Sequence, residues 1–271
     1  MNHPRFIDPI TLAIPNLPEA LRGLKVLHIT DLHIRRHRAV YEQLIATITR
    51  IDHDILALTG DVMDDEGHEP VAFETATRLV NAARPRIGAF GVHGNHDTHD
   101  LRRRLEHLSV RWLHNRAFVH PSLPLSILGV ECDVPERNAP RGDLLAALLS
   151  EQRERPNFRG FRLLLAHIPN WLPAASDGSV DLMLSGHTHA GQVRLPGLDP
   201  LYNATPGWPH ALSGGIYRGG PTTAVISRGV GESYMDGLRL FCTRQVPLIM
   251  LERAETAATE IDRGITCLRR W

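Results

Sequence analysis

Five apolar runs in this chain end in residues that bind metals or phosphate. Asp31 and His33 follow LKVLHIT. Asp61 and Asp64 follow DILALTG. Asn95, His96 and Asp97 follow IGAFGVHG, His167 follows FRLLLA, and His187 and His189 follow VDLMLSG. In extended chain, residues i and i+2 face the same side, so Asp31 with His33, and His187 with His189, can each present two donors to one point. In a helix the same spacing would splay them apart. Gly60, Gly94 and Gly186 stand immediately before the chemical residues and permit a tight exit without a Cβ clash.

Taken singly, each stretch has a plainer explanation: a Gly-Asp pair makes a turn, and a lone His after an apolar run is a hydrogen-bonded core residue. Gathered in one cleft, two or three carboxylates and four imidazoles would be prohibitively costly to bury without countercharge. A pair of divalent cations supplies it. The donors are oxygen and nitrogen with no thiolate, which suits Mn, Fe, Zn, Co or Ni and disfavours sites for Ca or Mg alone. Two cations about 3.5–4 Å apart, bridged by a carboxylate and a hydroxide, form a clamp used for phosphoryl hydrolysis.

Buried strands must carry these residues. Leu24–Thr30, Asp54–Thr59 and Ile87–Val92 read as strands, alternating with helices over Val40–Arg50, Phe73–Ala83 and Leu101–Leu108. Beyond residue 112 the strands Leu125–Glu131, Phe161–His167, Val180–Gly186, Thr222–Gly229 and Val246–Glu252 follow, with one helix over Gly142–Arg153. This is an α/β pattern with one large mixed sheet or two packed sheets and helices outside. The ligand residues fall at the carboxyl ends of strands, where the loops of open α/β folds converge. Residues 1–23 read as an extended or edge segment, 24–252 as the main domain and 253–271 as a polar tail. The stretch 196–221 reads as a long loop, in which Trp208, His210 and Tyr217 either meet substrate or pack the loop. His93 reads as structural, and Asp97 as a support for its turn.

The 271 residues carry 30 Lys plus Arg and 30 Asp plus Glu, so the formal net charge is zero. A general nucleic-acid binder would need a net basic field, and no specific nucleic-acid partner is expected. The three cysteines are distant from one another and lack a CxxC spacing, which excludes a disulfide framework and points to reduced thiols. With no apolar leader and no run long enough to span a bilayer, the expectation is a cytoplasmic protein, with peripheral membrane contact left open.

In their order, DLH, GDVMD, GNHD, an isolated His and GHTHAGQ resemble the signature of the calcineurin-like metallophosphoesterases. The later SRGVG and VPLIML are similar to segments of the small bacterial phosphohydrolase branch. The resemblance implies a four-layer αββα sandwich: two mixed β-sheets face to face, with helices on both outer faces. It implies two divalent metal ions, Mn, Fe or Zn above all. Asp31, His33 and His189 would hold the first, Asn95, His167 and His187 the second, and Asp61 would bridge them. His96 would be the catalytic imidazole near the leaving oxygen, oriented by Asp64.

The implied reaction is hydrolysis of a phosphodiester, phosphomonoester or pyrophosphate by metal-activated hydroxide. The substrate is a small-molecule or lipid-linked phosphate ester, a UDP-diacylglucosamine-type pyrophosphate among the candidates. Asn95 can donate a hydrogen bond to the phosphate, and Arg35 and Arg228 are further candidate phosphate contacts. Two alternatives stand beside this reading, a non-catalytic metal-binding interaction module on the same fold and a nuclease. The intact ligand set and His96 argue against the first, and the zero net charge against the second.

Overall fold

The structure, a computed structural model, describes residues 6–132, 142–153, 160–178, 180–195, 198–200, 202, 205, 207–233, 238–254 and 265–271. Strands β1 (Ile7–Ile14), β2 (Lys25–Ile29), β3 (Ile55–Thr59), β4 (Gly88–Val92) and β5 (Arg111–Trp112) come with helices α1 (Ala39–Ile48), α2 (Glu69–Ala82) and α3 (His99–Leu105) between β2 and β5. Then follow β6 (Arg116–Val119), β7 (Leu125–Val130), α4 (Gly142–Arg153), β8 (Phe161–Ala166), α5 (Leu172–Gly178), β9 (Leu182–Ser185), β10 (Gly215–Gly219), β11 (Thr222–Ile226), β12 (Val246–Arg253) and β13 (Ile265–Arg270).

The strands form two sheets, ordered β1-β12-β2-β3-β4-β5 and β13-β10-β11-β9-β8-β7-β6. Each is mixed. In the first, β2 to β5 run parallel while β12 opposes β2. In the second, β7, β8, β9 and β11 run parallel while β6, β10 and β13 pair antiparallel with their neighbours.

Strand residues alternate between two apolar layers, which is why the central strands read as unbroken hydrophobic runs. On β3, Ile55 and Ala57 face the layer between the sheets, and Leu56 and Leu58 face α1 and α2. On β8, Leu163 and Leu165 enter the same middle layer, and Leu164 and Ala166 pack with Leu145 of α4 and Ala175 of α5. Three stacked cores separate four layers, and the αββα sandwich is the fold of this chain.

The element ends differ from the sequence expectation where local chemistry sets them. Helix α2 begins at Glu69, four residues before Phe73, because Pro70 sits in its first turn, where a fixed φ costs nothing. Thr98 caps α3 by accepting the Leu101 N–H at 3.3 Å, which starts the helix at His99. Residues 1–23 supply β1, an edge strand parallel to β12. Within 253–271, expected as a polar tail, Ile265–Arg270 is the exposed strand β13. Backbone pairing to the β10 edge needs no apolar side chain. The 196–221 stretch contains β10, and its residues 196, 197, 201, 203, 204 and 206 lie outside the described set. Trp208 and Tyr217 are buried in the outer core, and the His210 ring bonds the Pro200 carbonyl at 2.7 Å, so all three pack the segment. Among the described residues, no helix is long and apolar enough to cross a membrane.

Candidate metal centre

The loops leaving β2 and β3 run side by side. The N–H groups of Asp31, His33 and Ile34 donate to the carbonyls of Gly60, Asp61 and Val62 at 3.0 Å each. The backbone here is not extended, as the i, i+2 reading assumed. Asp31, His33, Asp61, His187 and His189 have φ of 51°, 45°, 54°, 68° and 50°. Left-handed turns thus aim the paired donors at one place. Each such residue costs about 1–2 kcal/mol relative to ordinary backbone, a strain that clusters at functional sites.

Two glycines permit the crossing. Gly60 has φ 88°, and a Cβ on it would meet the Gly94 nitrogen at 2.4 Å. A Cβ on Gly94 would meet Asp61 Oδ1 at 2.1 Å. Asp97 fastens the crossing: its carboxylate accepts the N–H groups of Asp61, Val62, Met63 and Gly94 at 2.8–3.3 Å, the turn support expected of it.

All seven expected ligands meet here. His33 Nε2 and His189 Nε2 are 2.9 Å apart, and His189 Nε2 lies 3.8 Å from Asp31 Oδ1. On the other side, His167 Nε2 is 3.2 Å from His187 Nδ1 and 3.0 Å from Asn95 Oδ1. Asp61 Oδ2 stands between the two groups, 3.5 Å from His33 Nε2 and 3.1 Å from His167 Nε2. Asp31, His33 and His189 form one cluster able to hold an ion, and Asp61, His167 and His187 another. All six are buried, while Asn95 is exposed and His96 half-buried on the open side.

The charges point to a cation. Burial and the nearby Asp61 push the Asp31 carboxyl above its ordinary range, and its buried Oδ2 has no hydrogen-bond partner. Burial alone would depress His167, but the Asp61 carboxylate reverses this and raises it to about 9. Buried carboxylates here draw protons onto neighbouring imidazoles, and divalent ions would supply the same countercharge. The donor chemistry therefore fits two ions. The His167 ring is oriented by the Thr59 carbonyl, 2.7 Å from Nδ1, an outer contact typical of a metal-binding His.

The contacts of Asp64 differ from the expectation. Its carboxylate lies 2.7 Å from His33 Nδ1 and pairs with Arg35, so it contacts the His33 ring and not the His96 ring. His96 Nδ1 bonds instead to the Asp64 backbone carbonyl, and its N–H donates to Asp61 Oδ1 at 2.9 Å. Arg35 and the His33 ring on its near side claim the Asp64 side chain, leaving its main chain for His96. Arg35, expected to meet phosphate, is engaged with Asp64 and Asp65. The titratable groups that act on the partly buried Arg228 guanidinium include Cys242, Asp8, Arg194 and Arg269. The sequence reading missed Arg239. It is buried against the site, with Nη2 3.2 Å from His189 Nδ1 and further bonds to the carbonyls of Arg228 and Gly231. No strand end or motif marks it, because it lies in irregular chain.

The family model for calcineurin-like phosphoesterase matches residues 24–191, more than half of the chain and every ligand position. The metallophosphoesterase YkoQ of Bacillus subtilis is 28% identical over 186 residues, 65% of this chain and 65% of YkoQ. The metallophosphoesterase YkuE of the same organism is 25% identical over 244 residues, 87% of this chain and 82% of YkuE. Phosphodiesterase YaeI of Escherichia coli is 28% identical over 240 residues, 84% of this chain and 82% of YaeI. The match to YkoQ thus spans just under two thirds of that relative's length.

Proposed function

The chain belongs to the calcineurin-like phosphoesterase family, and from that premise we propose that it is a metal-dependent phosphoesterase using two divalent ions to hydrolyse a phosphate ester or pyrophosphate of a small-molecule or lipid-linked substrate. The observation that carries the proposal is Asp61, whose one carboxylate oxygen faces His33 at 3.5 Å and His167 at 3.1 Å, the position of a bridging ligand. Asp31, His33 and His189 would hold one ion, and Asn95, His167 and His187 the other. Two divalent cations bound there supply neutralisation of the phosphate oxygens and acidification of water.

The remaining work falls to side chains of this chain. The Asn95 carbonyl oxygen is turned to His167, which leaves its amide NH2 to donate to a phosphate oxygen. His96 sits on the open side, with Nδ1 donating to the Asp64 carbonyl. That bond fixes the ring and turns Nε2 to the departing oxygen, to which it would give a proton from the doubly protonated imidazolium form. The Asp64 carboxylate holds the His33 ring, with Arg35 balancing its charge. The similarity to YaeI, a phosphodiesterase, favours a diester among the substrate classes.

The test is hydrolysis of bis(p-nitrophenyl) phosphate and p-nitrophenyl phosphate by the metal-loaded chain, with and without chelator. Release of nitrophenol that chelator abolishes and Mn restores is expected. No release from either ester, with Mn, Fe or Zn, would overturn the proposal.

A further inference from the structure

A second histidine cluster lies beside the first and uses none of its residues. His93 leaves the end of β4, Glu106 follows α3, and His114 lies between β5 and β6. One ligand atom from each of the three falls within 4.8 Å of the others. His93 is fully buried, and neither of its ring nitrogens has a hydrogen-bond partner. A neutral imidazole carries one N–H and one lone pair, and leaving both unpaired inside a protein is costly. The ring is held flat against Trp112, with centroids 4.4 Å apart and planes at 12°, and the His114 ring centroid lies 5.3 Å away. His93 is therefore held in place with a free lone pair and no protein group to receive it.

His114 is set for the same purpose. Its Nδ1 is 2.8 Å from Glu131 Oε1, so a proton on Nδ1 would leave the buried Nε2 with a lone pair to offer. A carboxylate on the far nitrogen is the usual support of a metal-binding histidine. Nε2 lies 2.7 Å from Glu106 Oε1, so with the Nδ1 proton turned to Glu131 the Nε2 lone pair and the Glu106 carboxylate can be directed at one cation. His114 and Glu106 are partly exposed, which leaves a way in from solvent.

We propose that His93, His114 and Glu106 form a separate binding site for one divalent transition ion, of the zinc, cobalt or nickel class. Two imidazoles and a carboxylate suit these ions and not Ca or Mg. The bound ion would tie together the end of β4, the end of α3 and the β5–β6 turn. Glu131 also meets Arg102 at 3.3 Å, and Arg102 donates to the Gly94 carbonyl at 2.8 Å. Occupancy would therefore brace the loop that carries Asn95 and His96.

The site is independent of the proposed hydrolysis, and the test is a count of ions. The full chain is equilibrated with zinc chloride, passed through gel filtration and its zinc measured per chain. Glu106→Gln and His114→Ala should each hold about one ion fewer than wild type. The same decrement should persist in an Asp61→Asn background, which separates this site from the other centre. Zinc contents equal to the parent in both variants would overturn the proposal. Should a variant fail to fold, zinc-edge anomalous maps of wild-type crystals decide the matter. A peak joining His93 and His114 is expected, and zinc-soaked crystals with no peak there would equally overturn it.

Discussion

The two histidine clusters lie within a few residues of each other and are built by opposite means. In the Asp31–His189 cluster, five of the candidate ligands sit in left-handed backbone, and the carboxylates are buried. In the His93 cluster none of the three residues has positive φ, and its carboxylate Glu106 lies at the surface. Strain and buried charge concentrate where seven donors from loops of two sheets must converge. A site joining neighbouring segments of one region needs neither. Positive φ thus marks the first cluster and not the second, and strained conformations persist only when the surrounding structure enforces them.

Several substitutions break or sharpen this contrast, the largest effect first. Asp61→Asn should lower hydrolysis of bis(p-nitrophenyl) phosphate by about 10³-fold or more, since it removes the charge shared by both ligand groups. Steady-state rates with bound metal measured alongside check it, and a loss below tenfold would remove Asp61 from the bridging role. His96→Ala should cost about 10²–10⁴-fold in turnover while metal content stays at the wild-type level. A parallel fall in metal content would make His96 a ligand. Asp64→Asn, which loosens the support of His33, should cost about 10–100-fold in metal affinity or activity, read by titrating activity against Mn.

The backbone has its own probe. Gly60→Ala combines a left-handed φ with a contact at 2.4 Å, and should destabilise the fold by about 2–5 kcal/mol. Urea unfolding gives the number, and a loss under about 1 kcal/mol would mean that the crossing yields easily.

The last probe concerns His93 in metal-free protein. Burial, with Arg102 and His114 nearby, lowers the imidazole to about 2, against about 6.5 in the unfolded chain. Between those values the unfolded state holds the extra proton, so stability falls as pH drops below about 6.5. The slope is at most about 1.4 kcal/mol per pH unit. His93→Phe keeps the stack on Trp112 and should remove that part of the loss. Identical acid limbs for variant and wild type would show that His93 titrates normally.

Much of this was legible in the residues. Strands β2, β3, β4, β8 and β9 announced themselves as apolar runs because both of their faces are buried, and each ends on ligands. The seven ligand residues were named from motifs and strand ends, and they converge. The turns at those ends were not legible, because Asp and His enter the left-handed region more readily than most residues yet seldom do so, and the residue type alone does not mark where. Arg239 was hidden because it acts from irregular chain. The Asp64 side chain was assigned to the wrong histidine, because its partner depends on which loop lies beside it. Strand β13 escaped notice because its apolar content is low and main-chain pairing alone makes it.

The middle apolar layer has a consequence for the centre. Sheet one carries Asp31, Asp61 and Asn95, while sheet two carries His167 and His187. The thickness of the packing between them, set by side chains such as Ile55, Leu163 and Val225, works as a caliper on the jaws above it. Interiors are close-packed and give little. A methylene added or removed in that distant filling would therefore change the jaw opening, and with it the ions and esters that fit.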